Sequence, residues 1–563
     1  MLNILKRARS NAEESITGFN KRRRLDISSF ISTLTLANLW NPQSFTPFTR
    51  HYPVDILLVI FEIIIEDHSA QPNALLNRSA PPQVVLASVC KEWQHLVNST
   101  RRHWSHIPAG CSISYVSRCL TKSPGLPLRL GIKLSVNSRP EHGQPDLVKQ
   151  AREALKPFTR GIVTGTGMGR ALSIKRVSEL AISISSSIAS QIGRQTHSEA
   201  ERYNLCWAVP ELFPSLRNLR LDGVYLPEWY LRLPRTLLSL DLNLIDSPQR
   251  TIQMGEDDPR LTLAHFLPHL RSLDHLYRLT IDFSNTPYYE NLHLRHNSIL
   301  IPALHEIRLT ARSVNVFYAM SCAIDLPALR RCVLSLHYAP GSVPIKRFSL
   351  DCNLQSMFRN FIKQLSSAGT HLRTLYLARR RTSSTTTTTS IVASAEPVDW
   401  TNTYATRDTL CQNANLRVTL TCDTGSPSTS DEVEDAFLCA LVSCVRDLGH
   451  FWPDAPPITS LAVSFDDGCL FQSICRLVSY DRCLPLVNTL ACYDDHEGAL
   501  VGELYAPQAF PGLKMLITPD IEANPEAKRM MAFVLRKRAG LSHTQFDRVA
   551  AGVLRDAVMR AAT

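Results

Sequence analysis

A line of the form L-x-x-L-x-L returns along this chain, and it restricts the fold more than any other feature. Clear copies are "SLRNLRLDGV" from Ser215, "TLLSLDLNLI" from Thr236, "HLYRLTIDFS" from His275, "ALHEIRLTAR" from Ala303, "ALRRCVLSLH" from Ala328, "HLRTLYLARR" from His371 and "ITSLAVSFDD" from Ile458. Weaker ones are "LVNTLACYDD" from Leu486 and "GLKMLITPDI" from Gly512, and "VSELAISISS" from Val177 is the earliest. The last two apolar residues of each line alternate like a strand with one buried face, while the first fixes the turn before it. No single line can bury that face alone, so the copies must stack. Several begin with a proline two residues before the first leucine, at Pro214, Pro302, Pro327 and Pro511, and chance accounts poorly for so many shared beginnings. Between the lines, "DLVKQAREALKPF" from Asp146, "LQSMFRNFIKQLSSAG" from Leu354 and "DEVEDAFLCALVSCVRDLG" from Asp431 carry apolar residues at steps of three and four. They read as helices on the convex side of the stacked strands.

At 563 residues the chain exceeds what one compact core serves, so several domains or an extended repeat architecture is expected. Its fifteen cysteines are scattered, odd in number and without a C-x-x-C pair, which points to reduced thiols in the cytosol or nucleus. The net charge of +11 is concentrated early, in "KRAR" at Lys6 and "KRRRL" at Lys21. An import signal, a phosphate contact and a solvated tail all remain open for those clusters. Elsewhere the charges are mixed, with no basic stripe interleaved with aromatics, which argues against nucleic-acid binding.

One stretch breaks the repeat pattern. "YPVDILLVIFEIIIED", Tyr52 to Asp67, is almost wholly aliphatic, yet it contains Asp55 and Glu62 and falls well short of the roughly 20 apolar residues a membrane helix needs. Some fifty residues precede it, so it does not read as a signal peptide either. Pro53 suits a first helical turn, and Asp55 lies at the positive end of the helix dipole. Ile56, Ile60 and Ile63 form one stripe with Leu57, Phe61 and Ile64 beside it, too wide an apolar surface for one small core. Part of that surface is expected to meet a partner. After a polar, proline-bearing loop, "VVLASVCKEWQHLVNSTRRHWSHI" places Val85, Val89, Trp93 and Leu96 at helical spacing, reading as one amphipathic helix, with Trp104 shortly after.

The order Pro53-Val54-Asp55-Ile56-Leu57, Ile60-Phe61, Val89-Cys90-Lys91-x-Trp93, Leu96-Val97, Ser99-Thr100 and Trp104 resembles an F-box, usually L-P-x-E-[IL]-L, I-F, V-C-[KR]-x-W and a closing T-P-x-L-W. It departs at Tyr52, Asp55 and Arg101-Arg102, and its long inter-helix loop resembles F-box-like chains of basidiomycete fungi. The lines downstream are similar to the degenerate leucine-rich repeats that follow many F-boxes. The resemblance implies a three-helix unit that docks on a Skp-family adaptor, and through it on a cullin and a RING subunit. Pro53, Ile56, Leu57, Ile60, Phe61, Val89, Cys90, Lys91, Trp93, Leu96 and Trp104 would form the adaptor-binding set. On physical grounds Pro53, Ile56, Ile60 and Phe61 are the natural anchors. The competing reading makes all of them internal core, above all the aromatics Phe61 and Trp93.

No motif for catalysis emerges. "GIVTGTGMGR" from Gly161 lacks the Lys-Ser/Thr of a phosphate-binding loop, and histidines, cysteines and carboxylates do not cluster at ligand spacing, so no cofactor or metal is expected. "RRRTSSTTTTTSIVASAE" from Arg379 has low complexity and reads as an exposed loop open to phosphorylation. The expected fold is a small N-terminal three-helix F-box-like module followed by an irregular leucine-rich-repeat solenoid, α+α/β in class, with a parallel strand face and helices on the convex side. Its divisions are a basic, largely flexible segment over 1–49, the F-box-like domain over 50–108, and a linker with the start of the solenoid over 109–175. Then come repeats over 176–377, the Ser/Thr-rich loop over 378–400, further repeats over 401–520 and a helical tail over 521–563. The expected function is non-catalytic: a cytoplasmic or nuclear substrate receptor of a cullin-RING ubiquitin ligase, marking a target protein for degradation. The alternative is an interaction scaffold whose F-box-like helices only cap the solenoid. Exposed positions of the parallel strands, Arg220, Asp222, Asp241, Asn243, Arg308 and Tyr376, are the candidate target contacts.

Overall fold

The computed structural model describes residues 53–70, 75–76, 80–134, 175–184, 213–224, 233–245, 263–285, 299–338, 347–383, 386–396, 410, 413–423, 458–465, 486–493 and 515–517. The early basic clusters, the glycine-rich stretch at Gly161, the helices read from Asp146 and Asp431 and the tail lie outside these residues. Two compact units emerge, one within Met1–Val224 and Arg232–Pro234, the other within Tyr225–Leu231 and Arg235–Thr563. Both are mixed α/β, and in both the sheet is mostly parallel. Among the described residues no helix is long and apolar enough to cross a membrane.

The first unit holds α1 (Val54–Ala70), α2 (Pro82–Ala87), α3 (Lys91–Ser99), a 3-10 turn over Arg101–Trp104, β1 (His106–Ile107), α4 (Ile113–Lys122), β2 (Leu128–Leu134), β3 (Val177–Ile184) and β4 (Asn218–Val224). Strands β1 to β4 lie side by side in chain order, all parallel. Leu130, Leu180 and Leu219 stand in register, with Ile132, Ile182 and Leu221 two residues on, and none is more than 4% exposed. On the opposite face the loop after α1 comes back onto the sheet. Leu75 and Leu76 are buried against Ala181, and the Leu75 carbonyl accepts the Ala109 amide at 2.7 Å. Gly131 makes this approach feasible, since a Cβ there would overlap the Leu75 carbonyl.

The second unit holds β5 (Ser239–Ile245), α5 (Leu263–Leu270), β6 (Arg278–Asn285), β7 (Ile299–Leu300), β8 (Glu306–Ala311), α6 (Val314–Ala323), β9 (Ile324–Asp325), β10 (Arg331–Tyr338) and α7 (Arg347–Ser367). β11 (Thr374–Ser383), β12 (Thr386–Ser394), β13 (Leu416–Asp423), β14 (Ser460–Phe465), β15 (Thr489–Tyr493) and β16 (Met515–Ile517) complete it. Its sheet runs β5-β6-β8-β10-β13-β12-β11-β14-β15-β16, and β7 pairs with β9 apart from it. Each L-x-x-L-x-L line coincides with one of the strands β3 to β6, β8, β10, β11 or β14 to β16. Leu240, Leu279, Ile307, Cys332, Leu416, Ala393, Leu375, Leu461, Leu490 and Leu516 form one unbroken register row. From Leu240 to Leu490 no member of that row is more than 3% exposed. Burying each such leucine contributes about 1.5–3 kcal/mol.

The proline that opens several lines also has a local explanation. The carbonyls of Phe213, Ile301 and Leu326 accept the amides of Leu216, Leu304 and Leu329 at 3.1, 3.4 and 3.1 Å. These are four-residue turns with Pro214, Pro302 and Pro327 in second place, where the fixed φ of proline is already correct. Leu273 and Leu276 make the same turn at 3.0 Å without proline. Each turn delivers its leucine to the core at 0% exposure. Helix α7 buries Leu354, Met357, Phe358, Phe361, Ile362 and Leu365, and it is tied to α6 by Asn353 Nδ2 donating to Asn315 Oδ1 at 2.8 Å. It stops before Gly369, whose φ of 78° is a left-handed conformation that costs glycine nothing.

The Ser/Thr-rich segment corrects the sequence reading. Instead of an exposed loop, it forms the end of β11 and nearly all of β12, inserted antiparallel between β11 and β13. Threonine is β-branched, so a run of it favours a strand even without apolar alternation. Thr387 and Thr389 turn inward at 7% and 0% exposure, in line with Ile391 and Ala393. β13, also not foreseen, supplies the matching face with Leu416, Val418, Leu420 and Cys422. The Thr389 hydroxyl is buried with no hydrogen-bond partner among the described residues. Thr389→Val keeps the shape and removes the unsatisfied hydroxyl, so it should raise stability by about 1 kcal/mol, read as a higher denaturant midpoint. A loop residue would show no change.

Candidate functional site

Helix α1 has two apolar faces with different fates. Leu57, Phe61, Ile64 and Ile65 are buried at 1%, 0%, 7% and 7%, while Val54, Ile56, Val59 and Ile63 stay 52%, 40%, 46% and 41% exposed. Ile56, Val59, half-buried Ile60 and Ile63 fall at steps of three and four, so they line one side of the helix. Val84 on α2 and Val89 just after it add exposed aliphatic surface. The start of α1 is fixed by Pro53, whose carbonyl accepts the Ile56 and Leu57 amides at 3.0 and 3.3 Å.

The buried face is held by aromatics. Phe61 meets Trp93 of α3 edge to face, with ring centroids 4.7 Å apart. Trp104 is fully buried, donates its indole N–H to the Val97 carbonyl at 2.9 Å and carries the Arg118 guanidinium 4.7 Å above its ring. Gln83 of α2 is also fully buried and donates to the Tyr115 hydroxyl of α4 at 2.6 Å. Arg102 and Glu62 form an ion pair at 2.5 Å, too exposed to contribute much.

The predicted adaptor set therefore divides. Pro53, Ile56, Val89 and Lys91 are exposed, and Ile60, Cys90 and Leu96 are half-buried. Leu57, Phe61, Trp93 and Trp104 are interior and cannot be contacts in this state; they hold the helices so that the other face stays outside. Val54, Val59, Ile63 and Val84 join the exposed surface although the sequence reading left them out of the set. The single helix expected across Val85 to Leu96 is two, broken at Ser88–Cys90. Cys90 has an extended backbone, and its sulfur accepts the Trp93 amide at 3.5 Å, so it caps α3 instead of continuing α2. Burial raises its thiol pKa, which leaves the sulfur protonated at neutral pH.

The predicted target residues also divide. Arg220 and Asp222 of β4, Asp241 and Asn243 of β5, and Arg308 of β8 are partly exposed. Tyr376 is a correction: at 2% exposure it is packed with Val392, Leu410, Ala414, Ala462 and Ala491. Arg308 does not act alone. It joins Arg278 and Arg331 around a nearly buried Glu306, a grouping the sequence reading missed. Burial alone would raise the Glu306 carboxyl; Arg308, Arg278 and Arg331 together bring it below the ordinary value. The signal was available, because Arg278, Glu306 and Arg331 each stand immediately before the first strand leucine or its equivalent.

No protein-family model and no curated protein matches the chain.

His106, at the entry to β1 and 3% exposed, has no hydrogen-bond partner for either ring nitrogen among the described residues. Burial first, then Arg129 and His68, push its pKa down from 6.5 to about 3. Between those values the unfolded chain binds a proton that the folded chain refuses, so this contribution to stability is present above pH 6.5 and lost as pH falls toward 3. Chemical denaturation of the chain at stepped pH should show a loss of up to about 1.4 kcal/mol per pH unit that is absent from a His106→Leu variant. Parallel pH dependence in both proteins would contradict the assignment.

Proposed function

We propose that this chain is the non-catalytic substrate-recognition subunit of a cullin-RING ubiquitin ligase of the Skp-cullin-F-box type. In this proposal α1, α2 and α3 form the F-box-like module that holds a Skp-family adaptor, and the stacked strands form an irregular leucine-rich-repeat solenoid that holds a target protein. The observation that carries it is the exposed aliphatic side of α1, Ile56, Val59 and Ile63, on a helix whose other side is already filled by Leu57 and Phe61. An exposed apolar helix face of this kind is suited to a groove on a partner, with branched aliphatics as anchors. The V-C-K-x-W segment, with Cys90 capping and Trp93 packed on Phe61, supports the same reading.

A second reading, a scaffold whose helices only cap the solenoid, draws on the contact of Leu75 and Leu76 with the strand face at Gly131 and Ala181. That reading requires Pro53, Ile56 and Ile60 to be shielded; Pro53 and Ile56 are exposed and Ile60 is half-buried. Co-purification of the full chain with a Skp-family adaptor separates the two. The intact chain should be retained, and Ile56→Asp/Val59→Asp should weaken retention at least about a hundredfold while leaving the unfolding midpoint nearly unchanged. Failure of the intact chain to bind would remove the ligase reading and leave the scaffold.

A further inference from the structure

The hairpin of β11 and β12 is buried along its middle and exposed at its closing end. Thr387 and Thr389 face the core, whereas Arg380, Thr382 and Ser383 are exposed. Among the described residues β14 pairs with β11 only as far as Arg379, opposite Phe465. Beyond that point β11 has a described neighbour on the β12 side alone, and the ladder itself shifts between Arg381 and Ser383. The Thr382 hydroxyl is engaged, donating to the Thr386 carbonyl at 3.1 Å. A ladder end of this kind opens more readily than the core strands. Charge is one-sided here as well: from Thr374 to Ser394 the chain has three arginines, Arg379, Arg380 and Arg381, and no carboxylate.

We propose that Ser383 is a phosphorylation site for an ATP-dependent protein kinase that selects arginine two and three residues before its acceptor. Arg381 and Arg380 hold those two places. A kinase groove that recognises them must present carboxylates, because planar guanidiniums pair with carboxylates through two parallel hydrogen bonds. Such a groove takes its substrate as an extended segment, and Arg380 to Ser383 already has strand geometry. Thr382 is the poorer acceptor. Its hydroxyl closes the hairpin, and the arginine three residues before it, Arg379, is half-buried within the β14 ladder. In the reaction the Ser383 oxygen bonds to the γ-phosphorus of ATP, the bond from that phosphorus to the β,γ-bridging oxygen breaks, ADP leaves and the hydroxyl proton passes to the kinase's base. The product carries about −1.5 to −2 charges beside three arginines, so modification cancels roughly half or more of the hairpin's positive charge. The site does not depend on the adaptor or target reading.

The test is incubation of the folded full chain with magnesium ATP and the catalytic subunit of cyclic AMP-dependent protein kinase, an arginine-directed enzyme, beside a free peptide spanning Leu377 to Thr387. Mass spectrometry should place phosphate on Ser383 of the chain at a rate within about tenfold of the peptide's, the factor that a modest local opening costs. Arg380→Gln should slow labelling of Ser383 at least about tenfold, the effect of losing one charge-assisted pair, while Arg379→Gln should leave it within about twofold. If Arg380→Gln does not fold, Arg380→Lys keeps the charge, loses the fixed fork of donors and should still slow labelling. Labelling of the peptide but not of the folded chain, phosphate on another hydroxyl of the hairpin in place of Ser383, or a rate indifferent to Arg380 would overturn the proposal. Faster labelling of Ser383 by an acid-directed kinase would overturn it too.

Discussion

Strand phase in this protein is set by the aliphatic row that runs through Leu240, Leu279, Ile307, Cys332 and Leu416 and on to Leu490. A shift of one residue in β5, β6, β8, β10 or β13 would send its leucines to the outer face and bring charged neighbours such as Asp241, Arg278, Glu306, Arg331 or Arg417 into the core, so the register there is strongly specified. The face that points outward is then determined as well. Arg278, Glu306 and Arg331 share a row because each precedes a member of the aliphatic row, and the arginine cluster is thus a consequence of core packing.

The same division of labour governs the first unit. Phe61, Trp93 and Trp104 close an interior small enough that α1 has apolar surface left over, and Ile56, Val59 and Ile63 remain in water at a cost that a partner helix would reverse. After α1, Leu75 and Leu76 are anchored on the sheet. They press on β2 and β3 where Gly131 and Ala181 leave room, so these two residues are part of the sheet's cover.

Much of this could be read from the chain, for identifiable reasons. Period-two alternation with a preceding turn located every strand that carries the L-x-x-L-x-L line, and helical spacing gave the two apolar stripes of α1, but not which of them faces inward: Leu57 and Phe61, read as adaptor contacts, are buried. What escaped depended on other terms. β12 is written in threonine, which carries strand preference without hydrophobic contrast, so low complexity hid it. The break between α2 and α3 depends on Cys90 acting as a cap, a role not evident from residue type. Tyr376 occupies a register position that is partly exposed in other strands, and only contacts distant in sequence, from Leu410 and Ala414, bury it. The Glu306 cluster required knowing that β6, β8 and β10 are neighbours.

The claim on which the functional account turns is that one side of α1 is core and the other an interface. Carbene footprinting of the full chain, with and without a Skp-family adaptor, measures both sides at once. The account predicts strong labelling at Ile56, Val59 and Ile63 in the free chain, protection of Leu57, Phe61 and Trp93 throughout, and loss of the first set of labels when the adaptor is added. Labelling of Phe61 and Trp93 in the free chain, or an Ile56 side that stays labelled in the adaptor's presence, would contradict it.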